Sequence, residues 1–529
     1  MRSSTEHDGT RASGIGNINR RDLLALAALG LAVGGARPSL AASPANQLTW
    51  GLHVSVPPTW FDPADTPGII SPFMILYAMH DAMVKPMPGG VKPSLAESWT
   101  TSEDSLTYDF VLRQGVKFHN GEPVTAEDVK FSFERYRGAS AKLMKDQVAS
   151  IEAPDPRHIR FTLKKPWPDF LTFYSSASGA GWIVPKNYVD KVGDDGFKRA
   201  PIGAGPYKFV SFTPGVELHL EAFDGYWRKK PAVKTIVMKV IPDEATRLAA
   251  LKNGEVDIVY SIRGELAQDV QRSASEGLAL KPVYPPGPFW IYFPEQWDAK
   301  SPWHDVRVRQ AAALAIDRKN MNDALTLGYS KVTNSIIPDA FEYFWKPPTA
   351  EYNPDKAKKL LADAGHPSGF DAGLYYCDSS YSNIAEIAVE NLQSVGITTK
   401  LQPIERAGFV AAYSGKKYPR GLIQGASGAF GNAATRLASF VVKDGAYVYG
   451  SYPDIDELYA KQADELDPKK REAVLDKMQQ LTYEKAVYAP IWQLAFLNAV
   501  GPRVGESGFG LIPNFAYTGP FEDITIKGA

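Results

Sequence analysis

At 529 residues the chain is too long for one hydrophobic core, so two or three domains are expected. With 44% hydrophobic and 22% charged residues it has ordinary globular composition, and a formal net charge of −1 argues against nucleic acid or an anionic membrane surface as a partner. The single cysteine, Cys377, excludes an intramolecular disulfide and a cysteine-based zinc site.

Residues 1–42 read as an export signal and not as part of the fold. Arg2, Arg11, Arg20 and Arg21 precede an apolar run from Leu23 to about Ala36, and small residues follow at Ser39, Ala41 and Ala42. Asn19-Arg20-Arg21-Asp22-Leu23-Leu24 is similar to a twin-arginine signal, with Asn19 where Ser or Thr is usual; a Sec signal is the alternative. The run is too short to span a membrane, and no cysteine follows it to carry a lipid. A soluble periplasmic protein, cleaved near Ala41, is expected.

Leu48–Val54 reads as the first strand, followed by the Trp60-Phe61-Asp62-Pro63 loop and a helix from about Ser71 to Met83. Tyr108–Leu112 alternates as a strand, and Val116–His119 is a short strand before the Asn120-Gly121 turn. Thr125 is placed to cap a helix, with Asp128 at the capping-box position. His119, Glu122 and Asp128 tempt as metal ligands, but their spacing fits no recognised motif, so no metal and no other cofactor is assigned. Ile151–Lys164 is a strand pair turning at Asp155-Pro156.

Residues 200–258 form a compact α/β unit. Gly203, Gly205 and Pro206 bend the chain before the strand Tyr207–Phe212, which a turn at Thr213–Gly215 joins to Val216–Ala222. There Val216, Leu218 and Leu220 alternate with Glu217, His219 and Glu221 as in a half-buried strand. Thr235–Ile241 is a third strand, and Asp243–Asn253 a helix with Ala245, Leu248, Ala249 and Leu251 inward and Gly254 as its stop. Further on, Tyr284–Pro294 is a strand between proline-rich ends, read as a crossing between two halves. Arg307 and Arg309 are expected to pair with acids more than to clamp a ligand. Ile384–Val395 is an amphipathic helix before a strand at Thr398–Pro403, and Pro468–Ala486 a long helix with Val474, Leu475, Met478 and Leu481 inward.

Several fragments carry a resemblance: AESW with LRQGVKFHNG and TAEDV at 96–129, IGAGPY at 202–207, YW at 226–227, GEVDI at 254–258, and DVRVRQAAALAIDR at 305–318. Together they resemble the extracytoplasmic solute-binding proteins of family 5, which serve peptide- and nickel-type ABC importers. The resemblance covers residues 46 to about 505 and implies an α/β two-lobed periplasmic binding protein fold (type II, cluster C) with an extra subdomain in the first lobe. It implies a first lobe of 43–290 with a subdomain inserted at about 73–198, a second lobe of 291–492, and a return to the first lobe over 493–529. It further implies capture of a peptide or peptide-like solute between the lobes and delivery to an inner-membrane ABC permease with its ATPase subunits, by a monomer that is not an enzyme. Consistently, no G-x-S-x-G and no H-E-x-x-H stands in the chain, which counts against a secreted hydrolase. Signalling to a chemoreceptor is an alternative output of the same fold.

Aromatics near the crossings, Trp60, Phe61, Tyr284, Phe289, Trp290, Tyr292 and Trp492, are the expected walls of the pocket. One departure from the family bears on the solute. Peptide binders usually carry W-x-x-D, whose aspartate holds the peptide's amino group. Here the segment is Gly421 to Arg436, with no acid between Glu405 and Asp444, and Phe430, Asn432 and Arg436 stand in its place. An acidic solute, such as an opine-like compound or a sugar acid, is the alternative to a peptide, with Arg436 as the cation that would meet it.

Overall fold

In the computed structural model, residues 43–528 are described apart from 66–70, 89, 139, 178, 286, 513, 514 and 516. The export-signal reading of residues 1–42 lies outside the described residues.

Two sheets organise the chain. The first has seven strands in the order Tyr207–Thr213, Glu217–Ala222, Thr235–Val240, Gln47–Leu52, Ile258–Val259, Phe496–Val500 and Ala279–Val283. The second has six: Lys331–Val332, Tyr488–Gln493, Pro288–Tyr292, Leu422–Ala426, Phe370–Asp378 and Ile397–Ile404. Each is wrapped by its own core, around Trp50, Ile236 and Ile258 in the first lobe and around Ile291, Ile397 and Leu422 in the second. A four-stranded antiparallel sheet, Ala96–Thr101, Thr107–Leu112, His158–Leu163 and Val148–Asp155, carries a third core built on Phe110, Phe161 and Tyr174.

The expected hairpin of the first sheet is present, with Leu218 and Leu220 fully buried. Val216, expected inward, precedes the strand and is exposed, because the turn carries it past the sheet edge. Val116–His119 makes only an isolated bridge, Lys117 to Pro123. The expected capping box at Thr125 forms, Asp128 accepting from the Thr125 backbone N–H at 2.9 Å and from its hydroxyl at 2.7 Å. The Glu244–Lys252 helix is capped by Asp243, which accepts from the Thr246 N–H at 2.8 Å. Arg307 pairs with Asp305 at 2.6 Å, as expected, whereas the buried Arg309 donates to the carbonyls of Trp303, His304, Lys485 and Ala486 and to the Tyr452 hydroxyl, and to no acid among the described residues.

The strand expected to cross between halves, Pro288–Tyr292, lies wholly in the second sheet, and the chain passes over just before it, after Val283. It returns between Gln493 and Phe496. The two passages run side by side, the Leu494 N–H donating to the Gly287 carbonyl at 3.1 Å.

Three histidines are packed away as neutral rings. His80 donates from Nε2 to the Phe61 carbonyl (2.9 Å), and burial lowers its pKa to about 4. His119 sits between Gly203 and Gly205 and is lowered to about 3, again mainly by burial. His53 is lowered well below its ordinary value, by burial and then by Arg247, Arg406 and Arg263. The unfolded chain protonates these rings near pH 6.5 while the folded chain does not, so their stability is full above pH 6.5 and drains as pH falls from there toward 4. Each ring then withdraws about 1.4 kcal/mol per pH unit. Urea unfolding at pH 7, 6 and 5 is expected to show this steepening loss, and a flat profile would contradict it.

Candidate functional site between the lobes

In open α/β sheets, ligands sit beyond the carboxyl ends of parallel strands. Gln47–Leu52 runs parallel to Thr235–Val240 and Ile258–Val259, and its carboxyl end delivers His53, while that of Ile258–Val259 delivers Tyr260 and Arg263. In the other lobe Phe370–Asp378 runs parallel to Ile397–Ile404 and Leu422–Ala426. Their carboxyl ends deliver Asp378 and Tyr381, Arg406, and the Ser427–Asn432 loop. The two sets meet. Arg263 Nη2 donates to the Ser380 carbonyl across the lobes at 3.2 Å, and its guanidinium lies 5.4 Å from the centre of the Tyr381 ring.

Aromatic rings frame this meeting point. His53 lies 4.9 Å from Tyr517, Tyr517 meets Tyr260 edge-on at 5.1 Å, and Phe289 meets Tyr381 edge-on at 4.9 Å. The Tyr260 hydroxyl donates to the Tyr517 carbonyl. Arg406 pairs with Asp378 at 3.4 Å, and Arg247 is buried with its guanidinium donating to the carbonyls of Ile241, Pro242, Tyr260 and Ser261. Burial pulls Arg247 down to about 10. Nδ1 of His53, Nε and Nη1 of Arg263, and Nδ2 of Asn498 are all buried and have no hydrogen-bond partner among the described residues.

Of the residues expected to bind solute, Phe289 stands at this site. Phe61, Trp290 and Trp492, expected as walls, are fully buried core residues. Phe61 packs on Phe209 and Phe212, Trp290 meets Phe440 and Tyr488, and Trp492 belongs to the second-lobe core. Tyr292 is likewise buried, stacked on Tyr488 and accepting from the Tyr449 N–H at 3.0 Å. Trp60 packs against the first-lobe core, and Tyr284 is half exposed.

Phe430, Asn432 and Arg436 take up work between and beneath the lobes. Phe430 reaches into the first lobe and stacks on Phe515 at 5.1 Å. Asn432 caps the Ala433–Phe440 helix with its side-chain oxygen and donates from Nδ2 to Asp169 at 2.6 Å. Asp169, on the first-lobe side, also binds Arg471 of the Pro468–Glu484 helix at 2.6 Å, and both ionic side chains are almost fully buried. Arg436 is buried beneath the loop, donating to the carbonyls of Ile336, Ser427 and Ala429 and lying against Phe341 and Phe440. Burial lowers it to about 9. Its position makes it the scaffold of the Ser427–Asn432 loop and not a cation facing solute. Arg436→Lys keeps the charge but loses the three-way planar fork, and is expected to cost about 1–3 kcal/mol in chemical denaturation.

A cavity of about 420 Å³ opens elsewhere in the second lobe, between Leu314, Ile337, Trp345, Leu437 and Tyr488. All its lining residues lie within 310–490, so lobe closure does not enclose it.

This two-lobed frame can be compared with known proteins. The family model for bacterial extracellular solute-binding proteins, family 5 (middle), matches residues 90–447. The chain belongs to the family 5 solute-binding proteins. Among its relatives, the glutathione-binding protein GsiB of Salmonella typhi is 26% identical over 455 residues, 83% of this chain and 86% of that one. AgaA from A. tumefaciens, solved in complex with agropinic acid, is 27% identical with a TM-score of 0.75, over 91% of this chain and 99% of that one. The periplasmic binding protein DppA from Helicobacter pylori, solved with a peptide, shares the fold at a TM-score of 0.77 and 23% identity, over 91% and 98%. As a family 5 member the chain is the substrate-binding component of an ABC transporter. Arg263, Tyr381 and Arg406 were not singled out in the sequence. Their signal is positional, since each lies just past the carboxyl end of a parallel strand.

Proposed function

We propose that this protein captures a peptide or peptide-like solute between its two lobes in the periplasm and hands it to an inner-membrane ABC permease, without chemically altering it. The observation that carries this reading is the convergence of strand carboxyl ends from both lobes on one inter-lobe site, roofed by Tyr381 and floored by Tyr260 and Tyr517. Closure around a solute is the form a permease would recognise. That GsiB is named for glutathione and DppA was solved with a peptide supports a peptide-like solute.

A second reading, a non-peptide acid, is favoured by the absence of any acid between Glu405 and Asp444. AgaA, solved with agropinic acid, supports it. Native mass spectrometry of protein taken from its own periplasm, before and after mild denaturation, separates them. A released peptide with unchanged mass supports transport of peptides, and a released non-peptide acid supports the second reading. Cleavage of a bound peptide by the pure protein would refute both.

A further inference from the structure

We infer that Arg263, faced by Arg406 from the opposite lobe, holds a carboxylate of the solute, and that this anion is what allows the lobes to close. The inference rests on the solute-binding reading above and names the chemistry of that site.

Arg263 is the guanidinium of the site with unmade donors. Its Nη2 binds the Ser380 carbonyl and its plane lies over Tyr381, which fixes the group, yet Nε and Nη1 are buried without a hydrogen-bond partner among the described residues. Desolvating such donors costs about 1–3 kcal/mol each unless an acceptor meets them, and a carboxylate supplies two oxygens at once. Arg247 and Arg436 cannot serve, because backbone carbonyls occupy their donors. Arg406 is partly exposed, pairs with Asp378, and acts electrostatically on His53 and Tyr517, as Arg263 does from the other lobe. The acids facing this cluster are Asp378, bound to Arg406, Glu244, which accepts from the Arg263 backbone N–H, and Asp243, which with Glu244 lies against Arg247. The neutral His53 ring and the Asn498 amide stand beside the two facing guanidinium groups.

Arg263 and Arg406 belong to different lobes, so closure brings like charges together in a poorly solvated space, where their repulsion is strengthened. An anion between them reverses the sign of that term. A solute with a blocked acid would meet the same walls but leave the repulsion in place.

The test is calorimetric titration of the mature protein with glutathione and with mannopinic acid, each also as its carboxyl methyl ester, for wild type, Arg263→Gln, Arg263→Lys and Arg406→Gln. At least one free acid is expected to bind, and at least 100-fold tighter than its ester. Arg263→Gln and Arg406→Gln are each expected to weaken the acid at least 30-fold with melting temperatures held, while Arg263→Lys recovers part of the loss. Acid and ester bound alike by the wild type, or an Arg263→Gln variant that binds the acid unchanged, would overturn the inference and leave the peptide-like reading standing. Failure of every probe, acid or ester, to bind wild type would remove both.

Discussion

Asp169→Ala is expected to leave each lobe folded but to drive the protein open, weakening solute capture by about two to three orders of magnitude. Asp169 is the acid between two second-lobe groups, Arg471 and Asn432, at 2.6 Å from each. The side chains of Asp169 and Arg471 are only 8% and 3% exposed, so loss of the acid strands a guanidinium in a desolvated place whenever the lobes close. Removing one partner of such a buried pair costs about 3–5 kcal/mol. Within its own lobe Arg471 keeps the Gln462 oxygen at 3.0 Å, so the lost contact is the inter-lobe one and its cost falls mainly on the closed state, each 1.4 kcal/mol being tenfold in affinity. The nearby Lys165–Asp464 pair, 3.5 Å apart and exposed, contributes little by comparison. Small-angle scattering should show a larger radius of gyration for the variant, with its melting transition retained. Scattering and affinity both unchanged would show that the clasp carries no closure energy.

Gly205→Ala is expected to destabilise the first lobe by about 3 kcal/mol or more, at the upper end for overpacked sites. A Cβ at Gly205 would stand 2.5 Å from the Met79 carbonyl carbon, 2.7 Å from the His80 nitrogen and 2.8 Å from the Ala78 carbonyl oxygen. All three are backbone atoms and cannot swing aside as a side chain would. The Gly205 N–H donates to the Met79 carbonyl at 3.0 Å, and its own carbonyl meets His119 Nε2 at 3.0 Å. This knot ties the Phe73–Met79 helix, the inserted sheet and the start of the Tyr207–Thr213 strand, so displacement there loosens three elements together. Urea unfolding of the variant is the check, and a midpoint within error of wild type would refute the close-approach argument.

Much of this architecture could be read ahead of the structure because its signals are local. Alternation marked Glu217–Ala222, the Thr125 and Asp128 pair marked a helix start, and Gly203, Gly205 and Pro206 marked the bend before Tyr207–Thr213, though not the close backbone approach that Gly205 makes. The reading of His119 as structural also agrees with its hydrogen bonds to Gly203 and Gly205. The binding surface was less legible. Trp290 and Trp492 looked like walls because they are large and near the crossings, but layers packed on both sides of their sheet leave strand aromatics buried on either face, and Phe61, on a short helical turn, is buried against Phe209 and Phe212. Arg436 looked like a ligand cation from its neighbourhood alone, and nothing in the sequence tells that carbonyls of residues 336, 427 and 429 converge on it. Arg263 and Arg406 lie 143 positions apart in sequence, as their numbers give, and only the pairing of strands in two separate sheets brings them to one place.

The path of the chain through the first sheet also sets an order of events during synthesis. Residues 288–493 contain every strand of the second sheet, so that lobe can assemble as soon as its own segment has been made. The first sheet needs Phe496–Val500 between Ile258–Val259 and Ala279–Val283, and Phe521 and Ile524 pack in the same core as Trp50. At roughly 5–20 residues per second a ribosome spends many seconds between Trp50 and its last neighbours. Over that interval the early strands exist with an unpaired edge and an uncovered apolar face. The lobe that begins first is therefore finished last, because its seven-stranded sheet is completed only when residues 496–500 arrive.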